Sequence, residues 1–204
     1  GEFGAEIIKL EQTNVGDPLR RFGTMTDAGH TLNWRSESRN KKPITLDFRQ
    51  SEGAEILKSL VAVSDVLIEN FRPGVMAKFG LDYASLSKEH PALVYCSVSA
   101  FGQTGPRATE GGFDMTVQAM SGVMSVTGDK DGRPAKCGIP IADFSAGLYA
   151  AFSVTAALHK ARATGQGDHL DVSMLGSMLG IANLQTSELF GTGRDPVRLG
   201  LPIR

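Results

Sequence analysis

The chain has 204 residues, of which 41% are hydrophobic and 21% charged, and its net charge at neutral pH is -1. A chain of this length and composition folds around one sizeable core as an ordinary globular protein. The balanced charge excludes the general positive field that attracts nucleic acid or an anionic membrane surface.

The two cysteines, Cys96 and Cys137, form neither a disulfide framework nor a paired metal-ligand motif. This usage is typical of a reducing compartment. No apolar run approaches the roughly 20 residues of a membrane-spanning helix, and no signal peptide opens the chain. We therefore expect no membrane segment, and a location in the cytoplasm, or in a mitochondrial matrix if the source is eukaryotic.

Strand-like and helix-like segments alternate along the chain. In chain order, the patterns predict a strand over Ala5–Glu11, a strand over Pro43–Phe48, a helix over Ser51–Val63, a strand over Asp65–Phe71, a helix over Tyr83–His90, a strand over Leu93–Ala100, a helical segment from Phe113, a helix over Phe144–Arg162, a strand in "GDHLDVSML" and a helix from Leu175. The polar stretch Gln12–Lys42 is long for a structureless loop and indicates a functional segment or an excursion. This alternation predicts the α/β class, with an open, doubly wound parallel sheet (Rossmann-like) and one domain over residues 1–204.

Several common site motifs are missing from the sequence. The dinucleotide pattern G-x-G-x-x-G, the P-loop and the G-x-S-x-G elbow of hydrolases are absent, and the four histidines have no metal-ligand spacing. We therefore predict no metal site. The parallel sheet by itself does not identify a ligand.

The segment "ENFRPG", Glu69–Gly74, follows a predicted strand at the end where open α/β sheets bind ligands. It offers a flat ring in Phe71 and a guanidinium in Arg72, and Lys78 follows shortly. Arg49 and the cations of Arg39–Lys42 add positive charge that suits a phosphate-bearing ligand. The alternative is an ordinary turn between a strand and a helix.

Asp143 stands just before the predicted helix Phe144–Arg162 and has two interpretations. As a helix N-cap, it would accept hydrogen bonds from the first turn, which would lower its pKa. As a covalent nucleophile, it would attack an activated acyl group. The residues that follow, Ser145 to Gly147, are small and would leave room for a bulky partner. The local sequence leaves both interpretations open.

Six further stretches together resemble one protein family. They are "GAEIIKLE", "RNKKPITLDFRQSEG", "DVLIENFRPGVMAKFGLDY", "GFDMTVQAMSGVMSVTG", "GIPIADFSAGLYA" and "TGQGDHLDVSML", with "FGQTGP" between the third and fourth. In this order they resemble the class III (formyl-CoA transferase-like) CoA-transferase family. The resemblance covers the middle part of the family's chain, which is about twice as long and forms interlocked homodimers.

The resemblance implies roles for particular residues. It makes Asp143 the nucleophile of a transferase that moves CoA from an acyl-CoA to a small carboxylic acid, with the CoA thioester as substrate and no prosthetic group. It places Phe113 and Asp114 near the acyl end. It implies a CoA site formed by Leu46, Asp47, Phe48, Arg49, Asn70, Phe71, Arg72, Pro73, Gly74, Val75 and Lys78.

The resemblance also leaves alternatives open. The "GIPIADFSAGLYA" block is most similar to the branch that acts on dicarboxylates such as succinate, with Arg107 or Arg133 either holding a distal carboxylate or lying solvated. The racemase branch carries a histidine where this chain has Phe113, which disfavours racemisation, although an acyl-CoA racemase or dehydratase is one alternative. The other alternative is a non-catalytic CoA-binding fragment, because the chain is short relative to the family at both ends.

Overall fold

The computed structural model describes residues 1–200 and shows helices with parallel sheets, which confirms the α/β class. The chain divides into two compact units, Gly1–Ser59 and Leu60–Arg204. A single domain over the whole chain stays a prediction, and each unit is described by itself.

The first unit contains a two-stranded parallel sheet. Strand β1 (Ile8–Glu11) pairs with β2 (Lys42–Thr45), with Ile8 opposite Lys42 and Glu11 opposite Thr45. Both strands are shorter than predicted. Between them lie a 3₁₀ helix, Pro18–Arg20, and α1, Leu32–Glu37, and helix α2 runs over Ser51–Val61.

The polar stretch between β1 and β2 is an ordered excursion held by a partly buried ion pair. Glu11 is buried and accepts hydrogen bonds from Arg20 Nε at 2.7 Å and Nη2 at 3.1 Å. The Arg20 guanidinium carbon lies 3.8 Å from the ring centroid of buried Trp34. Thr31 accepts the backbone N–H of Trp34 and so begins α1. These contacts fix the excursion onto the end of β1.

The second unit is built on a three-stranded parallel sheet. Strands β3 (Val66–Glu69), β4 (Val94–Ser99) and β5 (Asp168–Ser173) pair in the order β3-β4-β5. Val94 lies opposite both Val66 and Asp168. Every strand starts within three residues of its predicted start, which confirms the sequence pattern for this sheet.

The second unit also contains several helices. They are a 3₁₀ helix over Met76–Phe79, α3 (Tyr83–Leu86), α4 (Asp114–Met120), α5 (Val123–Val126), α6 (Ile141–Thr164), α7 (Met174–Ile181) and α8 (Asn183–Thr192). Helices α6 and α7 pack on the sheet. Helix α6 begins three residues before its predicted start. This difference changes the role of Asp143.

The core of the second unit lies between the sheet and the small-residue face of α6. Ala146 and Ala150 of α6 pack in one cluster with Cys96 of β4, Val172 of β5 and Met178 of α7. Small side chains let the helix approach the sheet closely. Cys96 is fully buried, and burial raises the pKa of its thiol to about 11, so it behaves as a small core residue.

Among residues 1–200, α6 alone is long and apolar enough to cross a membrane by length and composition. The sequence showed no such segment because no unbroken apolar run reaches that length. Its buried residues are nearly all alanines that pack on the sheet of its own unit. Core helices of globular proteins meet the same length and composition test, so the absence of a membrane segment stays a prediction.

Candidate active site

Asp143 is the third residue of α6, and the N-cap position belongs to Pro140. The N-cap interpretation of Asp143 is therefore wrong, because the helix starts earlier than the sequence pattern indicated. The first turn is instead capped from another helix, since Asp114 Oδ1 accepts the backbone N–H of Ala142 at 2.8 Å. Asp143 itself is exposed and accessible to a ligand.

The surroundings of Asp143 raise its pKa above the usual aspartate value. The larger cause is the loss of hydration beside the protein, and the smaller is the negative charge of Asp114. The lowered pKa expected of a cap is therefore wrong. A carboxylate that is already partly dehydrated loses less hydration free energy when it attacks a carbonyl carbon. The reduced hydration of Asp143 therefore favours the nucleophile interpretation.

A buried glutamine connects Asp114 to the segment that leads into α6. Gln118 is fully buried, and its Nε2 donates to Asp114 Oδ2 at 2.6 Å and to the Ile139 carbonyl at 3.4 Å. Its Oε1 accepts the backbone N–H of Cys137 at 2.8 Å. Gln118 was not among the predicted site residues, although its i,i+4 spacing from Asp114 on a helix is a known signal for such a pair.

Apolar rings stand next to both carboxylates in the sequence. Phe113, at the N-cap position of α4, exposes 84% of its surface, and Phe144 exposes 51%. Ser145 and Ala146 are buried against the core, so their small size serves packing and not a partner. Of the three small residues from Ser145 to Gly147, only Gly147 faces open space. The expectation that all three leave room for a bulky partner is therefore corrected.

The segment Asn70–Val75 follows β3 at its carboxyl end, as predicted. Asn70 Nδ2 donates to the Val98 carbonyl at 2.7 Å, and Glu69 accepts the backbone N–H of Phe71 at 2.7 Å. Gly74 has a φ of +83°, a conformation that side-chain-bearing residues rarely adopt. Pro73 and Val75 are half-buried, and Lys78 is exposed on the following 3₁₀ helix. The turn is ordered and open to a ligand.

Arg72 lies against a glycine that lets it approach the backbone. A Cβ added to Gly111 would lie 2.8 Å from Arg72 Nη2. Arg72 also borders a cavity of about 50 Å³ that is lined by Ser97, Gln103 and His169. The Gln103 Nε2 atom is buried there without a hydrogen-bond partner among residues 1–200. This cavity has room for only a few water molecules and is too small for an acyl-CoA.

The first-unit part of the predicted CoA site, Leu46–Arg49, follows β2. Arg49 forms a bidentate ion pair with Asp47, Nε to Oδ1 at 2.7 Å and Nη2 to Oδ2 at 2.9 Å, and this pairing lowers the pKa of Asp47. Leu46 and Phe48 are half-buried. A phosphate would therefore have to compete with Asp47 for Arg49.

Other predicted cations are also paired. Arg39 bonds to Glu2 at 2.5 Å and Lys42 to Glu6 at 2.7 Å, so the positive rim expected from this run is balanced by acids of its own unit. Arg107 pairs with Glu110 at 2.8 Å. Within residues 1–200 no group of three or more His, Cys, Asp or Glu residues is arranged to hold a metal ion.

Comparison with known proteins identifies the family. The family model described as CoA-transferase family III matches residues 1–202. The chain belongs to this family. Family III members similar to it include the succinate–glutarate CoA-transferase of Agrobacterium fabrum, which is 40% identical over 98% of this chain and 51% of the relative. The succinyl-CoA–L-malate CoA-transferase beta subunit of Chloroflexus aurantiacus is 44% identical over 87% of this chain and 44% of the relative.

A solved structure supports the fold. The crystal structure of a CAIB/BAIF family protein from Brucella suis is 39% identical, with a TM-score of 0.90, and the match covers 97% of this chain and 53% of that one. The chain thus spans about half the length of the curated relatives and the solved structure that it matches.

Proposed function

We propose that the protein to which this chain belongs is a CoA-transferase that uses Asp143 as a covalent nucleophile. The observation that carries the proposal is an exposed carboxylate in the first turn of α6, with its hydration reduced and with its helix start held by Asp114. Family III membership gives this carboxylate an acyl-CoA to attack.

The proposed reaction proceeds through alternating anhydride and thioester intermediates. Asp143 attacks the thioester carbonyl of the donor, the C–S bond breaks, and CoA leaves as a thiolate. The thiolate then attacks the Asp143 carbonyl of the mixed anhydride, which releases the donor acid and leaves an aspartyl-CoA thioester. The acceptor carboxylate attacks that thioester and expels CoA again. CoA finally attacks the acceptor's acyl carbon and restores the free carboxylate of Asp143. No electrons are exchanged and no net proton is consumed.

Two features of this chain suit these steps. The positive end of the α6 dipole lies at Asp143, where it favours both the starting carboxylate and an oxyanion that develops beside it. The exposed rings of Phe113 and Phe144 would exclude water from the anhydride once a ligand covers them, because water would destroy its activation. Phe113 supplies no imidazole, which disfavours racemisation.

The proposed substrates are dicarboxylates. The names of the relatives describe transfer between succinate and glutarate and from succinyl-CoA to L-malate. We assign the CoA contacts to Leu46–Arg49, Asn70–Val75 and Lys78, with no prosthetic group. The proposal extends to a homodimer located in the cytoplasm.

The test is steady-state transfer from succinyl-CoA to glutarate and to L-malate, with the full-length protein. Asp143→Asn should reduce the rate to the uncatalysed background, because the amide cannot form the anhydride. Asp131→Asn, a surface change in a loop, is the matched control and should retain activity. If Asp143→Asn retains CoA transfer, the assignment of Asp143 as the nucleophile is wrong. Solvent deuterium uptake at the acyl α-carbon without CoA transfer would identify a racemase. Binding of CoA with neither deuterium uptake nor CoA transfer would identify a non-catalytic protein.

A further inference from the structure

We infer that Gln118 is a positioning residue that holds the start of α6, and with it Asp143, in the attacking geometry through Asp114 and the segment 137–139. This inference rests on the proposed function of Asp143. It assigns to the reaction a residue that does not touch the substrate.

Both ends of the Gln118 amide are engaged at the entrance to α6. The nitrogen donates to Asp114 at 2.6 Å and to the Ile139 carbonyl at 3.4 Å, while the oxygen accepts the Cys137 N–H at 2.8 Å. The side chain is fully buried. A buried amide is retained at low energetic cost only when its polar atoms are paired, and the partners here are the segment before α6 and the carboxylate that caps it.

Asp114 transmits this constraint to the nucleophile. One carboxylate oxygen accepts from Gln118 and the other accepts the Ala142 N–H at 2.8 Å. The N-cap residue of α6 is Pro140, whose side chain cannot cap the helix. The first turn therefore depends on Asp114 for its cap, and the residue after Ala142 is Asp143. A shift of the Asp114 carboxylate would move or loosen the backbone that carries the nucleophile.

The charge pattern explains why an amide is required at position 118. The ionisable groups around it are Asp114 on its own helix, Asp143 on α6, and Cys137 and Lys136 in the connecting segment, where the Lys136 ammonium donates to the Cys137 carbonyl at 3.2 Å, while α5 and α7 carry none. An amide donates to Asp114 without adding charge. An ionised carboxylate at this position would face Asp114 as a like charge and would have no proton to donate.

Gln118→Glu is the diagnostic variant, measured as transfer from succinyl-CoA in the full-length protein across pH. At acidic pH the protonated side chain donates to Asp114 and accepts from Cys137, and it loses only the longer hydrogen bond to the Ile139 carbonyl, so kcat should approach the wild-type value at the same pH. As pH rises and the group ionises, kcat should fall by about 10²-fold, the cost of a small misplacement of a reacting group. The KM for succinyl-CoA should change little, because the CoA contacts are elsewhere.

Two controls separate positioning from a general loss of fold. Gln118→Leu should lose kcat at every pH, since it can never donate, and Gln166→Glu, the same change on an exposed residue, should follow the wild-type profile. In the double variant Asp114→Asn, Gln118→Glu, the amide and the carboxylate exchange positions, so an amide at position 114 again faces a carboxylate at position 118. The double variant should recover most of the kcat that Gln118→Glu loses at neutral pH. If Gln118→Glu does not fold, the activity of the double variant tests the positioning role in its place.

The outcomes distinguish this inference from the proposed function. Trapping of an acyl group on Asp143 of the wild-type protein tests the nucleophile alone. If the wild type is labelled there but Gln118→Glu keeps the wild-type kcat and pH profile, the positioning role is overturned. A folded double variant without recovered activity overturns it as well. If the wild type is not labelled, the proposed function itself fails.

Discussion

At the scale of single residues, the proposed attack of Asp143 on a thioester depends on the ionisation of its carboxylate. The carboxylate must be charged, and both reduced hydration and Asp114 raise its pKa. The usual aspartate pKa is about 3.9, so the acidic limb of the activity should lie above that value. Activity is present above the raised pKa and is lost as pH falls through it.

Asp114→Asn tests this electrostatic coupling. Asparagine keeps an oxygen that can accept the Ala142 N–H, but it removes the negative charge that raises the pKa of Asp143. The acidic limb of kcat/KM for succinyl-CoA should therefore move to lower pH. An unchanged or upward-shifted limb, in a folded variant, would contradict the coupling.

The sequence singled out Asp143 as a candidate nucleophile, which stays a prediction, but it could not predict the way in which Asp143 is held. The motif order singled out the residue, whereas the helix start could not be read from "GIPIADF", because a proline in the N-cap position has no capping side chain to mark it. Gln118 was missed for a related reason. A polar residue in a helical pattern reads as exposed, and only the structure shows it buried with every polar end paired.

At the scale of elements, alternation and apolar runs were enough to predict parallel strands and the helices between them. They could not predict how the polar stretch after β1 is ordered, because isolated contacts do that, chiefly a partly buried ion pair and one ring. Glu11, Arg20 and Trp34 are separated along the chain, and no periodic pattern connects them.

Glu11→Gln should destabilise the first unit by about 2 kcal/mol, since it removes a charged hydrogen-bond acceptor from a buried site. Hydrogen bonding from Arg20 is the largest cause that lowers the pKa of Glu11, so its stabilisation is present above the ordinary glutamate pKa of about 4.3 and is lost as pH falls through the lowered value. Trp34 is the chain's single tryptophan, so urea unfolding followed by its fluorescence reports on this unit.

The matched control for this variant is Glu37→Gln, an exposed glutamate of α1 in the same unit. It should leave the Trp34 transition unchanged at neutral pH. The difference in the free energy of unfolding between the wild type and Glu11→Gln should become smaller at acidic pH. A gap that persists unchanged at a pH where glutamates are protonated would contradict the ion-pair explanation.

Two glycines should respond oppositely to alanine. At Gly167 a Cβ would lie 1.9 Å from the Leu93 carbonyl oxygen, whereas at Gly147, inside α6, it would meet nothing within 4 Å. Gly167→Ala should cost about 1–3 kcal/mol or more through overlap with rigid backbone. Gly147→Ala should gain about 0.5–1 kcal/mol through helix propensity. Urea unfolding measures both, and equal effects would contradict the packing described for the second unit.

At the scale of the whole molecule, α6 presents an apolar stripe to solvent. Phe144, Leu148 and Phe152 are four residues apart along one face and expose 51%, 72% and 77% of their surfaces. Apolar surface of this kind marks an interaction site. The sequence could not reveal it, since apolar residues in a helix predict burial without saying whether the covering surface belongs to the same chain.

The proposed homodimer gives this stripe a test. Phe152→Glu should lower the sedimentation coefficient of the full-length protein, because a buried charge without a partner opposes association. Arg162→Glu changes charge on the exposed last turn of the same helix and should leave sedimentation unaltered. Unchanged sedimentation of a folded Phe152→Glu variant would remove the stripe from the dimer contact.

The central claim is that Asp143 carries the acyl group covalently, and one measurement tests it most directly. The full-length protein is incubated with succinyl-CoA and hydroxylamine, digested and examined by peptide mass spectrometry beside Asp143→Ala. The account predicts a hydroxamate on the peptide that contains Asp143, confined to that residue and absent from the variant. Turnover of succinyl-CoA by the wild type with no modification at Asp143, or with a hydroxamate at another carboxylate, would contradict it.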